Sequence, residues 1–226
     1  MSRHVPSSIT RRQVLGASLG LAGMTAAGQT ETLAGPRRPG ALKGKRVLVA
    51  IGEFSEALET YYMVYRLQEE GVVPVVAATK AKPIQLVVHD FEPQYTNYTE
   101  KPGYLIQAEV AYAQVRPGDY AGMIIPGGRG PEEIRQDRDA LKLTGYFIDK
   151  DLPLGAMCHG PMVIYAARPV KGRRMTATYA VKADVELAGA IFVDEPAVVD
   201  RRMVTSRGWP DLPIFMPKFL EVLAGT

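Results

Sequence analysis

The chain has 226 residues, 46% of them hydrophobic and 23% charged, an ordinary globular balance with room for one domain and an extension. Its formal net charge is +3, and Arg3, Arg11 and Arg12 against Glu31 carry +2 of it before position 35, which leaves about +1 for the rest. That balance is too small to argue for nucleic-acid binding, and the single cysteine excludes an internal disulfide and a cysteine-cluster metal site.

Residues 1–34 read as a leader. Thr10–Arg11–Arg12–Gln13 sets a twin arginine before Val14–Ala27, an apolar stretch rich in Ala, Gly and Leu. It is too short and too glycine-rich for a stable membrane span. It fits the apolar region of a cleaved export signal and looks like a Tat-type signal, ending at Ala27 or near Ala34. The mature protein is then expected in the periplasm or outside the cell. The other reading is a disordered or interfacial N-terminal helix. Residues 35–44, which begin Gly35–Pro36–Arg37–Arg38–Pro39–Gly40, read as a linker, and 45–226 as the folded domain.

Lys45–Ile51 is a short apolar run rich in Val, ended by Gly52, and predicts a buried first strand. Ser55 to Glu70 predicts a helix, with Ser55 as N-cap and Gly71 as C-cap. Val72–Ala78 predicts a second strand, parallel to the first in a β–α–β unit. From Thr79 to Arg116 the signal weakens. Leu86–Val88 and Tyr104–Ile106 read as short strands around a loop, Phe91–Gly103, to which no chemistry is assigned. His89, beside Asp90, reads as a surface or structural residue.

Pattern returns at Tyr120–Ile125, a buried strand that ends in Pro126–Gly127–Gly128–Arg129–Gly130–Pro131–Glu132–Glu133. Two glycines at a strand's C-terminal end free the backbone to aim N–H groups into a crevice. The spacing fits neither a P-loop nor a dinucleotide fingerprint. A helix over about Arg138–Lys150 leads to a strand, Pro153–Ala156. A helix at Val181–Ala188 follows, then strands at Ile191–Val193, Val198–Val199 and Met203–Ser206. A last helix, Asp211–Leu223, is distorted at Pro217.

The chemistry concentrates at Leu154–Gly155–Ala156–Met157–Cys158–His159–Gly160–Pro161. Small residues precede the cysteine, and an apolar helical run, Met162–Ala167, follows. Strand, sharp turn and helix make a nucleophile elbow, with a thiol in place of the usual serine. A lone cysteine reads first as a small buried hydrophobe. The adjoining histidine and the Gly-Pro pair favour the reactive reading. A helix N-terminus aimed at the sulfur would favour thiolate, the reactive form. Alternating strands and helices predict an α/β, mostly parallel sheet with helices on both faces. Gly52–Glu59, Gly127–Glu132 and Cys158–His159 then converge at its C-terminal edge.

On Phe54–Glu59, Ile125–Glu132 and Ala156–Pro161, the chain from about Lys45 to Leu223 resembles the ThiJ/PfpI superfamily, most closely its PfpI-like branch. Weaker matches are Lys171–Thr176, Lys182, Asp184, Ala188–Gly189 and Val204–Arg207. The resemblance implies a flavodoxin-like three-layer sandwich related to class I glutamine amidotransferases. It implies Cys158 as nucleophile and Glu59 as a protonated carboxyl bonded to the sulfur, with Glu56 as the alternative. Gly127 and Gly128 would form the oxyanion hole, and His159 would be the neighbouring imidazole. Glu132 would be the acid that orients the histidine of a neighbouring subunit, so a homodimer or higher homo-oligomer is implied. The displaced tyrosine in Ala177–Thr178–Tyr179 and the Gly208–Trp209–Pro210 segment depart from the family's pattern.

The expected activity is a cysteine-dependent hydrolase or lyase of peptidase, deglycase or glyoxalase type, acting on a small carbonyl or peptide-like substrate without metal or cofactor. The alternative is an exported redox-responsive or stress-protective protein with an oxidisable cysteine and little turnover. A ligand-binding sensor domain is a third reading, and no DNA-binding segment accompanies it.

Overall fold

A computed structural model describes residues 40–225. The twin-arginine leader and the first part of the linker lie outside the described residues. In chain order the elements are β1 (Arg46–Ala50), α1 (Ala57–Glu69), β2 (Val73–Ala78), β3 (Pro83–Asp90), β4 (Thr99–Gln107), β5 (Val110–Ala111) and β6 (Gly122–Ile125). There follow α2 (Gly130–Ile134), α3 (Arg138–Asp149), β7 (Leu154–Met157), α4 (Pro161–Ala167), β8 (Arg174–Met175) and α5 (Lys182–Leu187). The chain ends with β9 (Ile191–Phe192), β10 (Ala197–Asp200), β11 (Met203–Ser206) and α6 (Leu212–Ala224).

The central sheet has the order β10-β11-β7-β6-β1-β2-β5. Every neighbouring pair in it is parallel except β10 with β11. Strands buried on both faces read as continuous apolar runs, and β1 shows why. Val47 and Val49 pack with Met63, Leu67, Phe215 and Phe219 under α1 and α6. Leu48 and Ala50 pack with Leu143, Phe147 and Val163 under α3 and α4. The two faces carry separate cores, so the domain has three layers, helices on either side of a mostly parallel sheet.

Two local expectations are corrected. The N-cap of α1 is Glu56, not Ser55: its carboxylate accepts from the Glu59 amide, while the Ser55 hydroxyl accepts from the Gly52 amide. The C-cap is Glu70, with Gly71 one place beyond in the left-handed region at φ 73°. Helix α6 runs unbroken through Pro217, which has no N–H to give to the Pro213 carbonyl.

The weakly patterned segment is the largest difference. It holds a long antiparallel hairpin, β3–β4, in a sheet of its own, with a register shift between Gln85 and Val87. The hairpin is joined to the main fold beside the site, by a bridge from Val87 to Glu56 and by the Trp209 indole N–H, which donates to the His89 carbonyl at 3.1 Å.

Candidate active site

Strands β1, β6, β7 and β11 end on one edge of the sheet, and Cys158 lies there between β7 and α4. Its φ is 58°, a conformation that costs a non-glycine residue about 1–3 kcal/mol and persists only when its surroundings impose it. Those surroundings are two backbone hydrogen bonds. The Cys158 amide donates to the Ser206 carbonyl at 3.0 Å, and the Cys158 carbonyl accepts from the Thr178 amide at 3.1 Å. The strained turn lifts the side chain off the strand end, as an elbow requires.

His159 is the next residue, and its Nδ1 lies 3.3 Å from the Cys158 sulfur. Burial, with the nearby His89, depresses the imidazole to about 4. It is therefore neutral at physiological pH, with Nδ1 within hydrogen-bond reach of the thiol. Its ring packs nearly perpendicular to that of Tyr98, at a centroid distance of 6.0 Å.

Glu59 sits in the first turn of α1 and is fully buried. Oε2 accepts the Gly127 amide at 2.5 Å. Oε1 has no hydrogen-bond partner among the described residues, and the Cys158 thiol is close enough to act on the carboxyl. Burial, reinforced by the charge of Glu56, pushes Glu59 up to about 8, so it is protonated at pH 7. Glu56 is also fully buried and raised to about 7 by burial. Oε2 of Glu56 caps α1 at the Glu59 amide, 2.7 Å away, and its other oxygen is 3.5 Å from the His89 amide. The structure thus puts Glu59, not Glu56, against the sulfur.

The two glycines after β6 have different jobs. Gly127 is glycine because a Cβ would lie 2.3 Å from the Cys158 Cβ and 2.8 Å from its sulfur. Gly128 has φ 72° and leaves no room beside the Glu56 amide, 2.4 Å from a built Cβ. The Gly127 N–H is given to Glu59. The amides that face the sulfur are those of Gly128 and His159. Of the two amides expected as oxyanion donors, that of Gly127 is engaged by Glu59, and that of Gly128 lies toward the sulfur with the His159 amide.

The thiol itself also differs from expectation. Burial pushes Cys158 well above its usual value, and the charge of an ionised Glu59 would push it further. The Gly128 and His159 amides only partly offset this. The resting group is a thiol, and its proton must leave as it reacts.

Glu132, in the first turn of α2, is exposed and makes no hydrogen bond to His159 within the chain. The hairpin supplies residues that the sequence did not mark. His89 is buried, bonds Glu100 Oε2 through Nε2 at 3.0 Å, and stacks on Tyr98 at 4.2 Å. Glu100 is gripped by both ends of the Arg129 guanidinium, at 2.9 and 2.8 Å. A signal was present: His89–Asp90 and Glu100–Lys101 are opposite charges on the two arms of a possible ribbon. Among the described residues no group of three His, Cys, Asp or Glu is arranged to hold a metal, and no helix is long and apolar enough to cross a membrane.

A family model described as DJ-1/PfpI matches residues 45–222. The chain belongs to the DJ-1/PfpI family. An uncharacterised relative from Archaeoglobus fulgidus is 36% identical over 178 residues, covering 79% of this chain and 98% of the relative. A Thermococcus kodakarensis relative named a deglycase is 32% identical over 178 residues, covering 79% and 99%. Among solved structures, a ThiJ/PfpI domain protein from Brachyspira murdochii superposes with TM-score 0.70 at 17% identity, covering 81% of this chain and 99% of that one. That likeness supports the DJ-1/PfpI fold.

Proposed function

We propose that this chain is a cysteine-dependent hydrolase of deglycase type, which removes a carbonyl adduct from an amine through Cys158. The observation that carries the reading is the neutral His159 Nδ1 at 3.3 Å from a buried thiol. The deglycase name of DJ-1/PfpI relatives at about a third identity supports the same reaction class.

In the first step Sγ bonds to the substrate carbonyl carbon while the thiol proton passes to His159 Nδ1. The carbonyl π pair moves to oxygen. The Gly128 and His159 amides face that region, and such donors are worth roughly 3 kcal/mol each in other enzymes. The imidazolium then gives its proton to the oxyanion, leaving a neutral thiohemiacetal-type adduct. Protonated Glu59 keeps a second negative charge away from the sulfur. For an amine adduct of a 1,2-dicarbonyl, the net reaction consumes one water and releases the amine and a 2-hydroxy acid. The hemiaminal C–N bond breaks to release the amine and leave the aldehyde carbon to which Sγ bonds; a proton then moves from that carbon to the ketone carbon through an enediol, leaving a 2-hydroxy thioester, and water cleaves its C–S bond to give the acid and return the thiol, so no external oxidant is needed.

Two further parts belong to this proposal. Exposed Glu132 reaches His159 of a second copy in a homo-oligomer. The leader exports the domain, a reading supported by Arg11–Arg12 before the apolar Val14–Ala27 stretch. The redox alternative is disfavoured by a thiol that burial holds protonated, because thiolate is the form that oxidises.

The test is turnover of methylglyoxal and of its adducts with N-acetylarginine and N-acetylcysteine, by the purified protein and by Cys158→Ser. A loss of about 10³-fold or more is expected in the variant. Turnover that survives Cys158→Ser sinks the proposal.

A further inference from the structure

Beside the thiol site lies a cavity of about 590 Å³ that the reaction described above does not use. Its walls are aromatic: Phe91, Tyr95 and Tyr98 from the β3–β4 loop, and Tyr179 from the opposite rim. Two contacts join it to the chemistry. Tyr98 forms one wall and also packs against the His159 ring. Thr178 forms another, and its amide holds the Cys158 carbonyl at 3.1 Å. The cavity and the thiol site thus share Tyr98 and Thr178 as neighbours.

We propose that this cavity is the subsite for the amine part of the substrate, and that it takes a planar cation, the guanidinium of an arginine side chain. The inference rests on the deglycase reading of Cys158 and names which adducts that site prefers.

The chemistry of the walls carries the choice. Phe91 is 59% exposed, Tyr95 58% and Tyr179 84%, so ring faces are open to a ligand. Aromatic faces are negative at their centres and attract cations. The charged side chain in the lining is Glu92, and no lysine or arginine lines the cavity. The Glu92 carboxylate accepts from neutral donors, the Thr99 hydroxyl at 3.0 Å and the Gln94 amide at 2.6 Å; its cationic neighbour is Lys101, which lies outside the lining and is paired with Asp90. The nearby arginines are engaged elsewhere, Arg129 with Glu100 and Arg207 with Asp194 and Asp211. Rings and a carboxylate, with no cation in the lining, select against anions.

A guanidinium is preferred to an ammonium for two reasons. It is planar and weakly hydrated, so it stacks on rings at a small desolvation cost. It also keeps its charge after one nitrogen adds to a dicarbonyl, whereas a lysine amine becomes a weakly basic hemiaminal nitrogen. A cysteine adduct carries no cation.

The experiment compares kcat/KM for the methylglyoxal adducts of N-acetylarginine and N-acetylcysteine, in the wild-type protein, Glu92→Gln and Tyr179→Ala. Wild type should favour the arginine adduct, and each variant should lower that preference about five-fold, through KM. An arginine preference that is absent, or unchanged in both variants, overturns the inference. If the wild-type protein turns over neither adduct, the deglycase reading has failed, and binding decides the subsite alone. Calorimetric titration of Cys158→Ala with N-acetylarginine methylamide should then show binding that Glu92→Gln weakens about five-fold. No binding, or equal affinity in both proteins, overturns it.

Discussion

The amide of Gly127 donates to Oε2 of Glu59 at 2.5 Å, joining the end of β6 to the first turn of α1 across the reactive sulfur. The bond decides what each residue can do. It occupies one amide of the glycine pair and fixes the face that the carboxyl turns to Cys158.

Glu59→Gln should keep the fold and alter the pH profile. The amide retains an acceptor for Gly127 and a donor toward the sulfur, but has no proton to lose. The wild-type kcat/KM should fall above about pH 8, where Glu59 ionises beside the thiol. The variant should lack that alkaline limb. Glu59→Ala should instead destabilise by about 1–3 kcal/mol or more, because the buried Gly127 N–H loses its acceptor. Chemical denaturation and a pH–rate series read the two effects separately.

Gly127→Ala should cost both stability and turnover. The added carbon would lie 2.3 Å from the Cys158 Cβ and 3.0 Å from Glu59 Oε2. Overpacking of this kind costs about 1–3 kcal/mol, and here relief requires moving the sulfur. A Gly127→Ala protein with wild-type turnover would show that the strand ends do not meet this closely.

Stability should decline between pH 6.5 and 8. Glu56 and Glu59 hold protons in the fold to about 7 and about 8, whereas their ordinary value is 4.5. From these two carboxyls the folded state binds more protons than the unfolded chain above 4.5, so their contribution is lost as pH rises through 7 and 8. His159 runs the other way. Lowered from 6.5 to about 4, it contributes stability that is present above 6.5 and is lost as pH falls through 4. Above 6.5 it is silent, and the carboxyls set a slope of about 1.4 kcal/mol per pH unit for each proton. The urea midpoint should be lower at pH 8 than at pH 6.5, and Glu59→Gln should reduce the difference.

Tyr98→Ala should raise the His159 pKa from about 4 toward its ordinary 6.5. The tyrosine ring stands nearly perpendicular to the imidazole against it, and burial is the first cause of the depressed value. An NMR titration of the His159 ring protons would report the shift, and the acid limb of kcat/KM should move up with it. An unshifted titration would mean that other groups keep the ring dry.

Much of this was legible before the fold. Val47–Ile51 and Met123–Ile125 are apolar on both faces, as buried parallel strands must be, and the small residues around Cys158 announce a tight turn. Of the hairpin only the middle of β3 and the end of β4 were legible, at Leu86–Val88 and Tyr104–Ile106, because Pro83, Pro93, Pro102 and Gly103 break the pattern around them. Its key contact, His89 with Glu100, exists only once the register of the two arms is set. The two glycines look alike in sequence. Only the position of α1 above β6 sends one amide to a carboxyl and leaves the other facing sulfur. The thiol's resting state was misread for a related reason. The proximity of a helix start is visible in sequence, but the depth at which the strand ends bury the sulfur is not.

The reactive pair is made of consecutive residues, whereas its helpers arrive from far along the chain. Torsions within Cys158 and His159 are enough to bring sulfur and imidazole together, so a loosened protein retains that encounter. Glu59 and Gly128 reach it only while α1, β6 and β7 stay docked. Mild denaturant should therefore silence the catalyst first and leave a cysteine that alkylating reagents still find, faster than before.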